Sequence, residues 1–168
     1  IMSKLFEPIT IKKMKLENRI VMPPMGTNFA ERWDGHVTER LINYYVERAK
    51  GGAGLIIVET SYVDTTGKHR DKALGVHDDK LIPGFKMLSE AVKAKGAKIA
   101  QQIAHAGAQT SSKITGMQPV APSSIPILIK GETVIPRELS IAEIHDLVEK
   151  FSDAAWRVKR AGFDAVEI

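Results

Sequence analysis

One pattern recurs three times along this 168-residue chain: a helix ending in basic residues, a glycine, then a short apolar strand. The copies read Arg48-Ala49-Lys50-Gly51 into Gly54-Leu55-Ile56-Ile57-Val58-Glu59, Lys93-Ala94-Lys95-Gly96 into Lys98-Ile99-Ala100-Gln101-Gln102-Ile103, and Lys159-Arg160-Ala161-Gly162 into Asp164-Ala165-Val166-Glu167-Ile168. Each helix-to-strand link is only a few residues long, whereas the strand-to-helix segments 23–37, 60–82 and 104–139 are long. Short links tie down one rim of a parallel sheet. The long ones therefore gather at the carboxyl ends of the strands, where a functional site is expected.

The remaining elements complete the alternation. Residues 4–16 alternate weakly around Pro8 and read as a short hairpin or cap. A first strand, Arg19 to Met22, is stopped by Pro23-Pro24, which donate no ladder hydrogen bond. Thr38 is a suitable N-cap for a helix whose Leu41, Ile42, Tyr45, Val46 and Ala49 share one apolar face. The run Leu55–Val58 has the continuous apolar character of a strand buried on both sides. A second helix is predicted from Pro83 to Lys95, with Phe85, Leu88 and Val92 inward and proline in the first turn. A third opens on the capping box Ser140-Ile141-Ala142-Glu143 and carries a stripe of Ile144, Leu147, Val148, Phe151, Ala155 and Val158.

The order β-α-β-α-β-α-β implies a parallel sheet with right-handed crossovers. An open doubly wound sheet would place a glycine-rich phosphate loop after the first strand, but Pro23-Pro24-Met25-Gly26 stands there. The Gly51-Gly52-Ala53-Gly54 cluster precedes a strand and reads as a tight turn. The expected fold is thus α/β: the first half, four βα strands, of a TIM (β/α)8 barrel with a short amino-terminal cap or hairpin. A whole barrel of this kind takes ~250 residues. The expectation is that residues 1–168 are the amino-terminal part of a single barrel domain that stops after strand four, with Ile1 standing before a natural initiator at Met2.

Composition narrows the function classes. With 43% hydrophobic and 26% charged residues the chain is suited to one globular core, and no apolar run approaches the ~20 residues of a membrane helix. The start turns charged at once, without a signal peptide pattern, so a cytoplasmic location is expected. There is no cysteine, hence no disulfide, thiol nucleophile or cysteine-held metal. The net charge of +4 is spread out except for Lys12-Lys13-Met14-Lys15, without the basic stripe and interleaved aromatics of a nucleic-acid surface. The five histidines show no metal-ligand spacing on one element. His145 is expected in solvent, and Trp33 and Trp156 are expected to pack.

Candidate site residues fall at strand ends. Strand alternation puts Ala100 and Gln102 on one face and Ile99, Gln101 and Ile103 on the other. A small residue and an amide near a strand's carboxyl end suit a ligand better than the bulky filling of a barrel interior. The Gln102 amide offers donors and acceptors to the edge of a planar heterocycle, or else it pairs with neighbouring backbone. Gly26, after Pro24-Met25, either lets a flat ligand approach the backbone or makes a plain turn. Thr60 is expected on the face of Ile56 and Val58, as a ligand contact or a turn cap. His105 either lines the site or packs a loop.

These segments together resemble a known family. Leu5-Phe6-Glu7-Pro8-Ile9 and Leu16-Glu17-Asn18-Arg19-Ile20-Val21-Met22-Pro23-Pro24-Met25 look like the opening of the old yellow enzymes, the NADH:flavin oxidoreductases. Gly54–Glu59 followed by Gly67, Gln102-Ile103-Ala104-His105-Ala106-Gly107, Val120-Ala121-Pro122-Ser123 and Ala161–Ile168 match later landmarks in order. The opening, the Tyr44-Tyr45 helix and the turn after Arg48 are more similar to the branch of 2,4-dienoyl-CoA reductases, 2-enoate reductases and NADH oxidases.

The resemblance implies a TIM barrel holding FMN, reduced by NAD(P)H, that passes hydride to an alkene conjugated to a carbonyl. It implies that Pro23, Pro24, Met25 and Gly26 lie along the flavin through backbone, that Thr60 contacts it, and that Gln102 bonds its pyrimidine edge. Gly26 stands where many relatives carry a Thr or Cys that tunes the flavin, so tuning from that side chain is expected to be lost. Ala108 stands where relatives often have Arg. The substrate-anchoring pair and the phosphate loops are expected beyond Ile168; relatives of the longer branch also append an iron–sulfur cluster and an FAD/NAD domain after the barrel. The implied substrate is a small enoate or enoyl compound, with no nucleic acid or membrane partner and a homo-oligomeric assembly. Two alternatives stand beside this reading: a catalytically incomplete half-barrel that associates with itself or a partner, and an amine dehydrogenase of the same superfamily.

Overall fold

The computed structural model describes residues 3–168; Ile1 and Met2, and the expectation about the initiator, lie outside the described residues. In chain order the elements are β1 Ile9–Ile11, β2 Met14–Leu16, β3 Val21–Met22, α1 Glu39–Lys50, β4 Leu55–Tyr62, β5 Leu74–Gly75, α2 Ile82–Lys93, β6 Lys98–Ala104, α3 Ser112–Thr115, β7 Val120–Ala121, β8 Ile127–Ile129, β9 Glu132–Val134, β10 Arg137–Glu138, α4 Ile141–Arg160 and β11 Ala165–Glu167. The main sheet runs β11-β6-β4-β3, every pair parallel, with β5 extending it beside the end of β4. Sequential strands are spatial neighbours, as in the first half of a (β/α)8 barrel, and the sheet does not close.

The three repeats close in the same way. Gly52, Gly96 and Gly162 have φ of 88°, 90° and 82°, the left-handed region in which a Cβ is costly. Each turn lets a helix end and its chain re-enter the sheet within a few residues. Thr38 caps α1 by accepting from the Leu41 amide, and Ser140 and Glu143 form the capping box of α4.

The sheet has two apolar faces. On the outer face, Ile56, Val58, Ile99 and Ile103 pack with Leu41, Tyr45 and Ala49 of α1, Phe85, Leu88 and Val92 of α2, and Ala154 and Val158 of α4. On the inner face, Leu55 and Ala100 meet Leu16, with Ile9, Met14, Ile57 and Ala165 around them. The β1–β2 hairpin therefore plugs the floor of the half-barrel, so the open end is at the strands' carboxyl tips.

Several boundaries differ from expectation. β3 is shorter than 19–22, and Ile20 instead accepts from the Gly54 and Leu55 amides through its carbonyl. β4 continues past Val58 to Tyr62. α2 begins one residue earlier and ends at Lys93. Val148 of the predicted stripe is exposed, as is His145: a 20-residue α4, roughly 30 Å long, outruns the seven-residue β6 it packs on. Trp33 and Trp156 do not pack inside; they are 78% and 50% exposed, and their faces carry Arg32 and Arg160 at 5.0 and 4.6 Å. The long segment after β6, with Pro119, Pro122, Pro126 and Pro136, is ordered: β7 and β10 pair in parallel, and β8–β9 form a hairpin.

Candidate functional site

Three polar side chains from three adjacent strands meet on the inner face at the open end. The Thr60 hydroxyl donates to Oε1 of Gln102, and Nε2 of Gln102 donates to Glu167 Oε2 at 3.3 Å. Gln102 and Glu167 are register partners in the β6–β11 ladder. All three are half-buried, so the strip is held by the sheet yet remains accessible.

Thr60 reaches this face through a bulge. The β4–β6 register runs Val58 to Gln101 and then Ser61 to Ile103, so Glu59 and Thr60 together oppose Gln102. Thr60 therefore lies beside Gln102 and not on the face of Ile56 and Val58, as simple alternation implied. The extra residue frees two backbone groups in the interior, and both are satisfied. The Glu59 amide donates to the Tyr45 hydroxyl at 2.8 Å, and Nε2 of Gln101 donates to the Glu59 carbonyl at 2.7 Å and to Ser61 Oγ at 2.9 Å. Burial raises the Tyr45 phenol above its ordinary range, so it stays neutral. Of the two adjacent amides, the fully buried backbone-pairing one is Gln101, not Gln102.

The segment after β3 borders the strip. Pro23, Met25 and Gly26 are exposed and Pro24 is half-buried. The segment is tied to β4 by Glu59, whose Oε2 accepts from the Thr27 amide at 2.6 Å. The side of Gly26 from which a Cβ would project is covered by Arg70: a Cβ there would collide with its guanidinium. His105 turns away from the strip. Its Nδ1 accepts from the Gly107 amide at 3.0 Å, so Nε2 carries the proton and bonds Thr66 Oγ1 at 2.9 Å, and Thr66 in turn donates to Asp64. Asp64 also pairs with Lys150 of α4 at 2.8 Å. Burial raises the Asp64 carboxyl, but Lys150 and Thr66 outweigh it and leave it below its usual value. This chain packs the loop, one of the two roles open to His105.

Gln102 and Thr60 are thus brought together, Thr60 by way of the bulge, and the 23–26 segment follows the end of the neighbouring β3. Glu59, Gln101, Glu167 and Arg70 were not singled out. An acid inside an apolar strand was a visible signal for Glu59, and register pairing would have found Glu167. Arg70 comes from a loop whose path no periodicity encodes. Among the described residues, no three His, Asp or Glu side chains converge as a metal site, and no helix is long and apolar enough to cross a membrane.

An amide, a hydroxyl and a carboxylate in a row, beside a segment with two prolines and a glycine, form a donor–acceptor set matched to the edge of a flat heterocycle. The chain is 52% identical over 166 residues to an NADH oxidase of Thermoanaerobacter brockii, covering 98% of this chain and 25% of that protein. Its fold matches a 2-naphthoyl-CoA reductase in complex with 2-naphthoyl-CoA with a TM-score of 0.92 at 29% identity, over 97% of this chain and 26% of that one. It matches an old yellow enzyme homologue from Zymomonas mobilis with a TM-score of 0.87 at 33% identity, over 98% of this chain and 47% of that one. The chain thus spans between a quarter and a half of these relatives' length. Residues 4–168, nearly the whole chain, match the model of one family, and the parallel half-barrel agrees with the old yellow enzyme fold it matches: the chain belongs to the NADH:flavin oxidoreductase / NADH oxidase family.

Proposed function

We propose that this chain forms one wall of the FMN site of an NAD(P)H-dependent oxidoreductase of the ene-reductase type. The observation that carries this is the strip Thr60–Gln102–Glu167 on the inner face. Gln102 offers a donor and an acceptor to the pyrimidine edge of the ring, and Thr60 adds a hydroxyl beside it. Pro23, Pro24, Met25 and Gly26 line the neighbouring edge with backbone. When bound, FMN supplies hydride transfer from NAD(P)H to an alkene conjugated to a carbonyl. The protein residues orient the ring, and the β1–β2 plug under Leu55 and Ala100 closes the floor against water.

The substrate in this reading is a small enoate or enoyl compound, and the protein is cytoplasmic and homo-oligomeric. In this reading an iron–sulfur cluster would take its ligands from outside these cysteine-free residues. The test is spectroscopic. The intact protein should show flavin absorbance or acquire it with added FMN, and Gln102→Leu should weaken FMN binding. A colourless protein that stays so with FMN added would sink the proposal.

A second reading concerns the 168-residue chain alone, as a half-barrel that pairs with another half. It is favoured by the sheet edges β3 and β11, which have no further strand partner among the described residues. Light scattering on the isolated chain decides it: a monomer rejects it.

A further inference from the structure

Arg70 is the most unusually placed charge at the open end. Its guanidinium sits where the side chain of residue 26 would be if that residue were not glycine. No carboxylate oxygen among the described residues lies within 4.0 Å of it, since the adjacent Asp71 is bound to Arg32 at 3.1 Å. Its Nε donates to Nε2 of His69 at 2.9 Å. That bond requires a neutral imidazole, and burial together with Arg70 itself holds His69 down to about 4. The imidazole is therefore a prop rather than a rival charge. The cleft beside Arg70, about 610 Å³, adds Lys72, Lys113 and Lys130. An arginine is charged at every working pH, and this one is half-buried with Glu59, tied to the Thr27 amide next to Gly26, as a nearby acid that does not pair with it directly.

We propose that Arg70 is a cofactor-binding residue that takes the place of a side chain at position 26 and biases the site toward the anionic, reduced form of the ring. This rests on the reading that FMN lies along the strand tips beside residues 23–26. Hydride taken from NAD(P)H leaves NAD(P)+ and adds one negative charge to a neutral ring. A fixed cation at the ring's edge favours the charged product over the neutral reactant, and a glycine at position 26 is what makes room for it. The tuning expected to vanish with a glycine at position 26 is instead supplied from the loop after β4, as charge.

The experiment is a reduction-potential titration of the FMN-loaded intact protein against a reference dye. Arg70→Gln should weaken binding of reduced relative to oxidised FMN at least tenfold, a fall of about 30 mV for a two-electron couple. Arg70→Lys should keep most of the wild-type potential. Gly26→Ala, which leaves Arg70 in the sequence but expels its guanidinium, should lower the potential as Arg70→Gln does. An unchanged potential in both Arg70→Gln and Gly26→Ala, with FMN still bound, overturns this assignment alone. Failure of the wild-type protein to take up FMN overturns it together with the function proposed above.

Discussion

The side-chain amide of Gln101 donates to the main-chain carbonyl of Glu59 at 2.7 Å across the β4–β6 pair. This bond, with the Tyr45 hydroxyl on the Glu59 amide, is what makes the bulge tolerable at the fully buried Glu59. The orientation of the amide follows from its partners. Two carbonyls and a hydroxyl surround one end, and only a donor can serve both carbonyls. Gln101→Leu should therefore cost about 1–3 kcal/mol, the penalty of an unsatisfied buried acceptor. Tyr45→Phe should cost a similar amount through the orphaned amide. Denaturant unfolding checks both. A loss under about 0.5 kcal/mol in each would mean that the bulge does not depend on these bonds.

If the bulge serves the site, its effect should appear in ligand binding as well as stability. Gln102→Leu removes the central donor–acceptor pair of the strip. Thr60→Val removes the hydroxyl while keeping shape. Each lost bond to a bound ring should weaken FMN by roughly five- to tenfold, from about 1 kcal/mol per neutral hydrogen bond. The double variant should lose less than the sum, because Thr60 and Gln102 bond one another. Fluorescence-quenching titration of FMN measures all three, and full additivity would show that the two act independently.

Much of this architecture is written in local sequence. The glycine stops, Thr38 and Ser140 as caps, and the apolar faces of α1 and α2 are short-range features that the structure bears out, although in the first repeat the left-handed turn falls on Gly52 and not on Gly51. Gln102 was legible because strand alternation alone puts it with Ala100. Thr60 was assigned to the wrong face because alternation assumes an unbroken ladder, and the bulge depends on Tyr45 and Gln101, residues 14 and 42 positions from Glu59. Arg70 was invisible for a related reason. Its position over Gly26 is set by the fold of the segment after β4, and neither residue type nor spacing announces such a contact.

Three histidines give the fold a definite response to acid. Burial, and then Arg70, push His69 down to about 4. Burial also lowers His77, which stacks on Tyr62 at 5.0 Å, and His105, which is locked by Gly107 and Thr66. In the unfolded chain all three titrate near ~6.5. Below that pH the unfolded state takes up protons that the folded state resists, for His69 down to about 4. Stability is then full above pH ~6.5 and is lost as pH falls. The melting temperature should drop by roughly 5 °C from pH 7 to pH 5, and His69→Gln should flatten part of that slope. A melting temperature that rises on acidification would contradict these protonation states.

Lys68 ties the segment between β3 and α1 to the loop after β4. It is almost fully buried, and its ammonium donates to the carbonyls of Arg32 at 2.7 Å and Trp33 at 3.4 Å. Thr110 fixes the lysine's own carbonyl at 2.6 Å. Burial lowers the Lys68 pKa, partly offset by Asp71 and Asp34, yet among the described residues no carboxylate pairs with it directly. The charge is held by carbonyl dipoles, an arrangement that a neutral side chain cannot replace. Lys68→Met keeps the volume and loses the donors, so it should cost about 1–2 kcal/mol and free the loop around the exposed Trp33. Limited trypsin digestion reads the release directly: cleavage after Arg32 should become several-fold faster in the variant. An unchanged cleavage rate would show that the loop is held by the Arg32–Asp71 pair instead.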